Sequence, residues 1–298
     1  MTEIVWGWIT AIDLFMIGTA GGAAVAAGLA YLFGKGKFSS LAETGSYIAP
    51  IFGILSIVTV ILDLGRFTAA PGNILYTFNN FPDSMISVGT LLRIAFIVVG
   101  LINALAWIFS GEGVGSRWAR IVLGGVNVLL GLSVTLYPGF MLALARGVPL
   151  WNSPVFPWMI TMSSILNGLV ISALAVPIIG GLMPRLSNNL VEAGSALSGE
   201  LSQRLSLYSG IVTVVELILV ALYMGNVSGV IGYGSLMSSL VFWGGFVVLG
   251  LVIPLIIYVM GWLDVGPSPK TWMLYASFLL VIVGSLAGRY ALLLAAQI

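Results

Sequence analysis

The stretch VWGWITAIDLFMIGTAGGAAVAAGLAYLF, Val5–Phe33, carries one charge, Asp13, in a run long enough to cross a bilayer. The hydrocarbon core needs about 20 consecutive apolar residues in a helix. A helix at a protein–water boundary shows a charged face as well as an apolar one, and this stretch has none. It begins close to Met1 without a basic flank and is too long for the apolar part of a removable leader, so it reads as a span. In hydrocarbon each backbone amide must be bonded within the segment, which makes a helix the form such a run takes.

Seven further runs share this character. With the first, the spans are Val5–Phe33, Ser46–Leu64, Met85–Phe109, Ile121–Ala145, Val155–Leu182, Leu205–Met224, Ser239–Trp262 and Thr271–Ala296. The expected fold is an all-α, polytopic integral membrane bundle of eight transmembrane helices. Residues 1–298 form a single integral membrane domain. Two four-helix halves are compatible with the count, although no repeat of fixed period is visible. The expected location is the cell membrane, as a multi-pass protein in contact with membrane lipid.

Composition supports this reading. The chain is 59% hydrophobic and 7% charged, with a mean hydropathy of +1.12. A soluble domain carries about 25% charged residues. The 38 glycines fit helices that pack closely in lipid. A net charge of +1 gives no footprint for nucleic acid, and none is expected as a partner. The chain has no histidine and no cysteine. Haem b takes imidazole ligands and iron–sulfur clusters take thiolates, so neither group is expected in this protein.

Basic residues set the expected orientation. An even number of spans places both termini on one side. Loops on the other side hold Lys35, Lys37, Arg117, Arg120, Arg185, Arg204 and Lys270, whereas the terminal side holds Arg66 and Arg146. The excess of Lys and Arg marks the cytoplasmic side, which puts both termini on the extracytoplasmic side. The outer loops are then Arg66–Ser84, Arg146–Pro154 and Gly225–Ser238. The first, with Tyr76, Phe78, Asn79, Asn80 and Phe81, reads either as a docking loop for a protein partner or as a cover over its own helix ends.

Charges inside spans mark the candidate site, because a charge in hydrocarbon costs a few kcal/mol and faces the bundle interior with a partner. Asp13, Asp63, Arg93 and Arg289 fall in the outer halves of their spans, and Glu216 falls near the middle of the sixth. A paired cluster is expected, since an unpaired buried charge is costly. Such pairs either fix helix register alone or line a polar pocket and proton path entered from outside. In the second case Asp13, Asp63 and Glu216 exchange protons, and the permanently charged Arg93 and Arg289 orient. Tyr137 precedes Pro138 and Gly139. Proline frees a backbone carbonyl and glycine admits close approach, so the phenol is placed to donate to a ligand carbonyl. An interfacial aromatic anchor is the plainer reading of the same residue.

Several motifs together resemble the NrfD-like family, the integral membrane subunits of polysulfide, thiosulfate and related molybdopterin reductases. AIDLFMIGTAGGAA (Ala11–Ala24) is similar to the family's glycine-rich opening helix. LDLGRF (Leu62–Phe67) resembles its Asp-Leu-Gly-Arg-Pro element, with Phe67 in place of proline. DSMISVGTLLR (Asp83–Arg93) resembles its Ser-x-Met-Ser-x-Gly-Thr helix start. The run Tyr137–Gly168 resembles its Tyr-Thr-Gly…Pro-x-Trp-Asn region, and GRYALLLAAQ (Gly288–Gln297) its Arg-Tyr element.

The resemblance implies a subunit that anchors a molybdopterin catalytic subunit and a four-cluster ferredoxin-like iron–sulfur subunit. It also implies a quinone bound near the outer face. By position Tyr137 contacts the quinone ring. Asp13 with Gly18, Gly21 and Gly22 lines the other wall, and Asp63 and Arg66 lie on the same side. Asp13 or Asp63 then takes a proton as quinol is oxidised, while Arg93, Glu216 and Arg289 extend a proton route inward. The residues taken alone also fit a proton-translocating subunit without bound quinone, or a plain anchor.

Overall fold

The computed structural model describes residues 6–34, 36–63, 79, 81–109, 114–182, 200–263 and 271–297. Among these described residues, eight helices are long and apolar enough to cross a membrane. They are α1 (Trp8–Phe33), α2 (Ser39–Asp63), α3 (Met85–Phe109), α4 (Val114–Ala143), α5 (Phe156–Leu182), α6 (Glu200–Asn226), α7 (Val241–Leu263) and α8 (Thr271–Ala295). A five-residue helix, Tyr233–Met237, precedes α7. No strand occurs among the described residues. The all-helical, eight-span fold is as the sequence predicts.

Three helices start before their apolar runs. α2 begins at Ser39 and not at Ser46, α4 at Val114 and not at Ile121, and α6 at Glu200 and not at Leu205. Polar side chains in the added turns of α2 are absorbed by the bundle: Ser40, Glu43 and Thr44 are all buried. Hydropathy marks where lipid begins, whereas the helix continues as long as its backbone bonds and its inner face find partners.

α1 is the central helix, buried along most of its length between α2, α4 and α5. α3 closes against α2 and α4, and α6, α7 and α8 continue round from α5. Glycine sets the closest approaches. A Cβ on Gly22 would strike the Ser164 carbonyl of α5, and one on Gly21 would lie 2.5 Å from the Gly131 carbonyl of α4. α7 meets α8 through Gly250 and Gly284 in the same way. The first part of α7, Val241–Val252, is wound as a π-helix.

The outward faces are apolar. On α3 alone, Leu91, Val98, Leu101, Ile102 and Leu105 are exposed. In water so large an apolar patch would drive association, and in lipid it is the solvent-compatible face. Inside, Ser46, Thr161, Ser164, Ser206 and Thr213 return their hydroxyls to the carbonyl one turn back, so their burial leaves no orphan donor.

Both described ends of the protein meet. Trp6 N–H donates to Gln297 Oε1 at 3.0 Å, and Gln297 Nε2 donates to the Trp6 carbonyl at 2.8 Å. The Trp6 ring stacks on Trp151, with centroids 5.2 Å apart. The loop Arg146–Pro154 folds over its own helix ends, with Leu150 and Trp151 buried and Trp151 Nε1 donating to the Leu292 carbonyl. Most of the loop Arg66–Ser84 lies outside the described residues.

Candidate functional site

The first polar centre lies between α1, α2, α3 and α4, at the end of the bundle where Trp6 and Gln297 meet. Asp13 faces Arg93 across the helix interface. Arg93 Nη1 donates to Asp13 Oδ1 at 2.9 Å and Nη2 to Oδ2 at 2.7 Å. Thr59 of α2 donates to the same Oδ1 at 3.2 Å. Asp13 is 7% exposed. A fork-on-fork pair of this kind matches the planar guanidinium to the planar carboxylate and satisfies both in one contact. The sequence places these two charges at one depth, and the structure makes them partners.

Tyr137 of α4 stands beside this pair, near enough for both charges to act on its phenol. Its ring lies directly on the Cα of Gly89 in α3, where any side chain would overlap the phenol. The hydroxyl donates to Met141 Sδ at 3.2 Å. Thioether sulfur is a weak acceptor, so the phenol keeps most of its donor strength for a better one. Tyr137 is 9% exposed and points into the bundle, not into lipid. α4 runs unbroken through Pro138 to Ala143, and Gly139 lets its backbone approach Pro157 of α5.

Asp63 is the last residue of α2 and is exposed, where it accepts from Thr10 Oγ1 at 3.1 Å. Arg66 lies outside the described residues. Gly18, Gly21 and Gly22 all face neighbouring helices. Gly18 touches Ser164 and Arg289, Gly21 packs on α4, and Gly22 on α5. Their absent side chains bring three helices against α1 directly behind Asp13.

The second polar centre lies between α5, α6 and α8. Arg289, 2% exposed, donates to Ser164 Oγ at 3.0 Å, to Ser163 Oγ at 3.3 Å, and to Ser285. Asn167 Nδ2 adds a 2.6 Å bond to Ser285 Oγ. The guanidinium also lies 5.7 Å from the Phe15 ring centroid of α1. Glu216 is fully buried. Ser163 and Arg289 are near enough to act on it, yet neither carboxylate oxygen has a hydrogen-bond partner among the described residues. Asp13, Arg93, Glu216 and Arg289 therefore form two centres, not one cluster. Gly18 joins them, because its Cα rests on Ser164 and Arg289 while Asp13 lies five residues away on α1.

A third polar layer, which the sequence does not single out, sits toward the opposite end of α1–α4. Tyr47 donates to Glu43 at 2.9 Å, Asn103 to Ser46 at 3.0 Å, and Arg120 covers the Trp107 ring at 4.5 Å. Asn127, 1% exposed, has no hydrogen-bond partner for either amide atom among the described residues. Asn103 and Asn127 are isolated amides in apolar runs, and nothing in the sequence pairs them. Gly89 is legible as part of a motif, but its purpose depends on where the Tyr137 ring falls.

The sequence profile of the family described as "Polysulphide reductase, NrfD" matches residues 1–298. The C subunit of polysulfide reductase from Wolinella succinogenes is 26% identical, over 99% of this protein and 95% of its own length. Protein NrfD of Escherichia coli is 28% identical, over 59% of this protein and 61% of its own length. Matched along its whole length and built as an eight-span multi-pass membrane bundle, the chain belongs to the NrfD polysulphide reductase family.

Proposed function

We propose that this chain is the quinone-binding membrane subunit of a molybdopterin oxidoreductase of the sulfur-compound reductase type. It passes electrons between membrane quinol and an iron–sulfur partner subunit, itself of the four-cluster ferredoxin-like kind. Both termini, and with them the Asp13–Tyr137 end, face the extracytoplasmic side, where those partners dock. The observation that carries the reading is the Tyr137 phenol, set on the bare Cα of Gly89 beside the buried Asp13–Arg93 pair.

When bound, the quinone supplies the two-electron chemistry. The protein's task is to hold the head group and manage protons. Tyr137 donates its hydroxyl to a quinone oxygen, a stronger acceptor than Met141 Sδ. Asp13 takes a proton as general base, and Arg93 holds that carboxylate in place. Asp63, exposed at the end of α2, passes protons to water. Gly18, Gly21 and Gly22 shape the wall by drawing α4 and α5 onto α1, and Arg66 adds a cation from the adjoining segment.

Organic extraction of the purified complex tests the ligand: quinone near one per protomer is expected, and its absence removes this reading. Tyr137→Phe tests the mechanism. Quinol-driven turnover falls while turnover with an artificial donor to the catalytic subunit stays intact, and unchanged quinol turnover takes Tyr137 out of the site.

A second reading, proton translocation without bound quinone, draws on Glu216, a buried carboxyl beside Arg289 with no hydrogen-bond partner among the described residues. There Arg93, Arg289 and Glu216 line a route from the Asp13 end toward the middle of the bundle. Intact turnover-linked proton release in a complex that yields no quinone would favour it.

A further inference from the structure

A groove of about 350 Å³ opens on the bundle surface between the second half of α1, the middle of α5 and the start of α6. Its floor includes Val25, Leu41 and Leu205, all buried, and its rims include Leu29, Phe33 and Ile211, all exposed. The lining is almost wholly apolar. Along α1 it runs from Val25 to Gly34. At 1.5 Å per residue that is about 14 Å, close to half of the ~30 Å hydrocarbon thickness. The groove is therefore one leaflet deep, and it lies toward the end of the bundle opposite Asp13 and Tyr137.

The mouth at that end is amphipathic. Phe38 meets Tyr208 edge to face, with centroids 6.1 Å apart, and Tyr208 is 41% exposed. Lys37 adjoins Phe38 in sequence, and Arg204 lies one helical turn before Tyr208; both cations are exposed. Each also has a contact within the protein. An ammonium carries three donors and a guanidinium five, so both retain donors for a further anion. An apolar slot one leaflet deep with two cations at its polar end complements an acyl tail with an anionic head.

We propose that this groove holds an acyl tail of one anionic phospholipid, with its headgroup at Lys37 and Arg204. An isoprenoid tail would fill the slot equally well but brings no anion to the two cations. A zwitterionic lipid sets an ammonium against them. The site does not depend on the function proposed above, because it sits at the other end of the bundle and uses none of those residues.

The test uses the full-length protein in its complex, purified in mild detergent with repeated exchange, or reconstituted in nanodiscs of phosphatidylglycerol or phosphatidylcholine. Native mass spectrometry and lipid extraction count what stays. About one phospholipid per protomer is expected, with phosphatidylglycerol retained over phosphatidylcholine. A basic side chain near an anionic surface is worth about fivefold, so Lys37→Gln with Arg204→Gln should cut phosphatidylglycerol retention roughly 25-fold. Ala30→Trp, which fills the slot, should abolish it. If Ala30→Trp fails to fold, the exposed charge pair still decides. Equal retention of the two lipids, no phospholipid above the detergent blank, or retained quinone that Ala30→Trp expels would each overturn the proposal. Quinol turnover reports separately on the Tyr137 site.

Discussion

Arg93 and Asp13 meet edge to edge across the α1–α3 interface, with guanidinium–carboxylate bonds of 2.9 and 2.7 Å. The pair holds α3 to the central helix by an interaction that lipid cannot replace. Removing one member strands the other charge, which costs about 3–5 kcal/mol at a buried pair. Arg93→Leu should therefore lower the thermal midpoint of the detergent-purified protein sharply. Asp13→Asn combined with Arg93→Gln should recover most of that loss, because two neutral groups can bond each other. Equal losses in the single and double variants would mean that the pair does not hold the helices.

The phenol of Tyr137 makes a second claim on α3. Gly89→Ala puts a methyl group where the ring lies. Overpacking of this kind costs about 1–3 kcal/mol, and the ring is the movable party. The expected result is a modest drop in stability with a large drop in quinol-driven turnover. A variant that loses stability and turnover in proportion would reduce Gly89 to a packing residue.

The eight spans are legible in the sequence because the bilayer sets a length and a composition that few other segments meet. That Asp13, Arg93 and Arg289 fall within spans is legible for the same reason. Their partners are not. Whether Arg93 bonds Asp13 or Glu216 depends on which helices are neighbours, and hydropathy is blind to that. Ser39–Gly45 reads as a loop because its residues are largely polar, whereas Glu43 and Thr44 face the bundle interior as part of α2. The two separate centres, the π-winding of α7 and the Asn103–Asn127 layer all arise from packing between spans, which no single run encodes.

Glycines with and without neighbours should behave oppositely. A Cβ on Gly168 would collide with the Gly22 and Ala23 backbone of α1, and backbone cannot swing aside. Gly125, within α4, has nothing within 4 Å of such a Cβ. Gly168→Ala should force α5 from α1 and prevent recovery of monodisperse protein, or lower its midpoint strongly. Gly125→Ala removes a flexible residue from a helix interior and should be neutral to stabilising by about 0.5–1 kcal/mol. Size-exclusion profiles after heating rank the two directly, and a tolerated Gly168→Ala would contradict the close α1–α5 contact.

The buried amides at the far end of α1–α4 give a last ordering. Asn103 Nδ2 donates to Ser46 Oγ at 3.0 Å, so Asn103→Leu breaks a made bond in an apolar setting. Asn127 makes none among the described residues, although a cavity of about 10 Å³ adjoins both amides. That volume is about the least that admits one water. Asn103 Oδ1 also lacks a partner among the described residues, so the contrast rests on its one made bond. Breaking a made bond costs about 1–3 kcal/mol, whereas trading an amide that makes none for a leucine of similar size relieves a desolvation penalty. The midpoint of Asn103→Leu should thus fall below that of the parent, with Asn127→Leu at or above it. The reverse order would mean that Asn127 is bonded to a water held in that cavity, and a density peak within hydrogen-bond distance of its amide in a high-resolution map of the complex would show it directly.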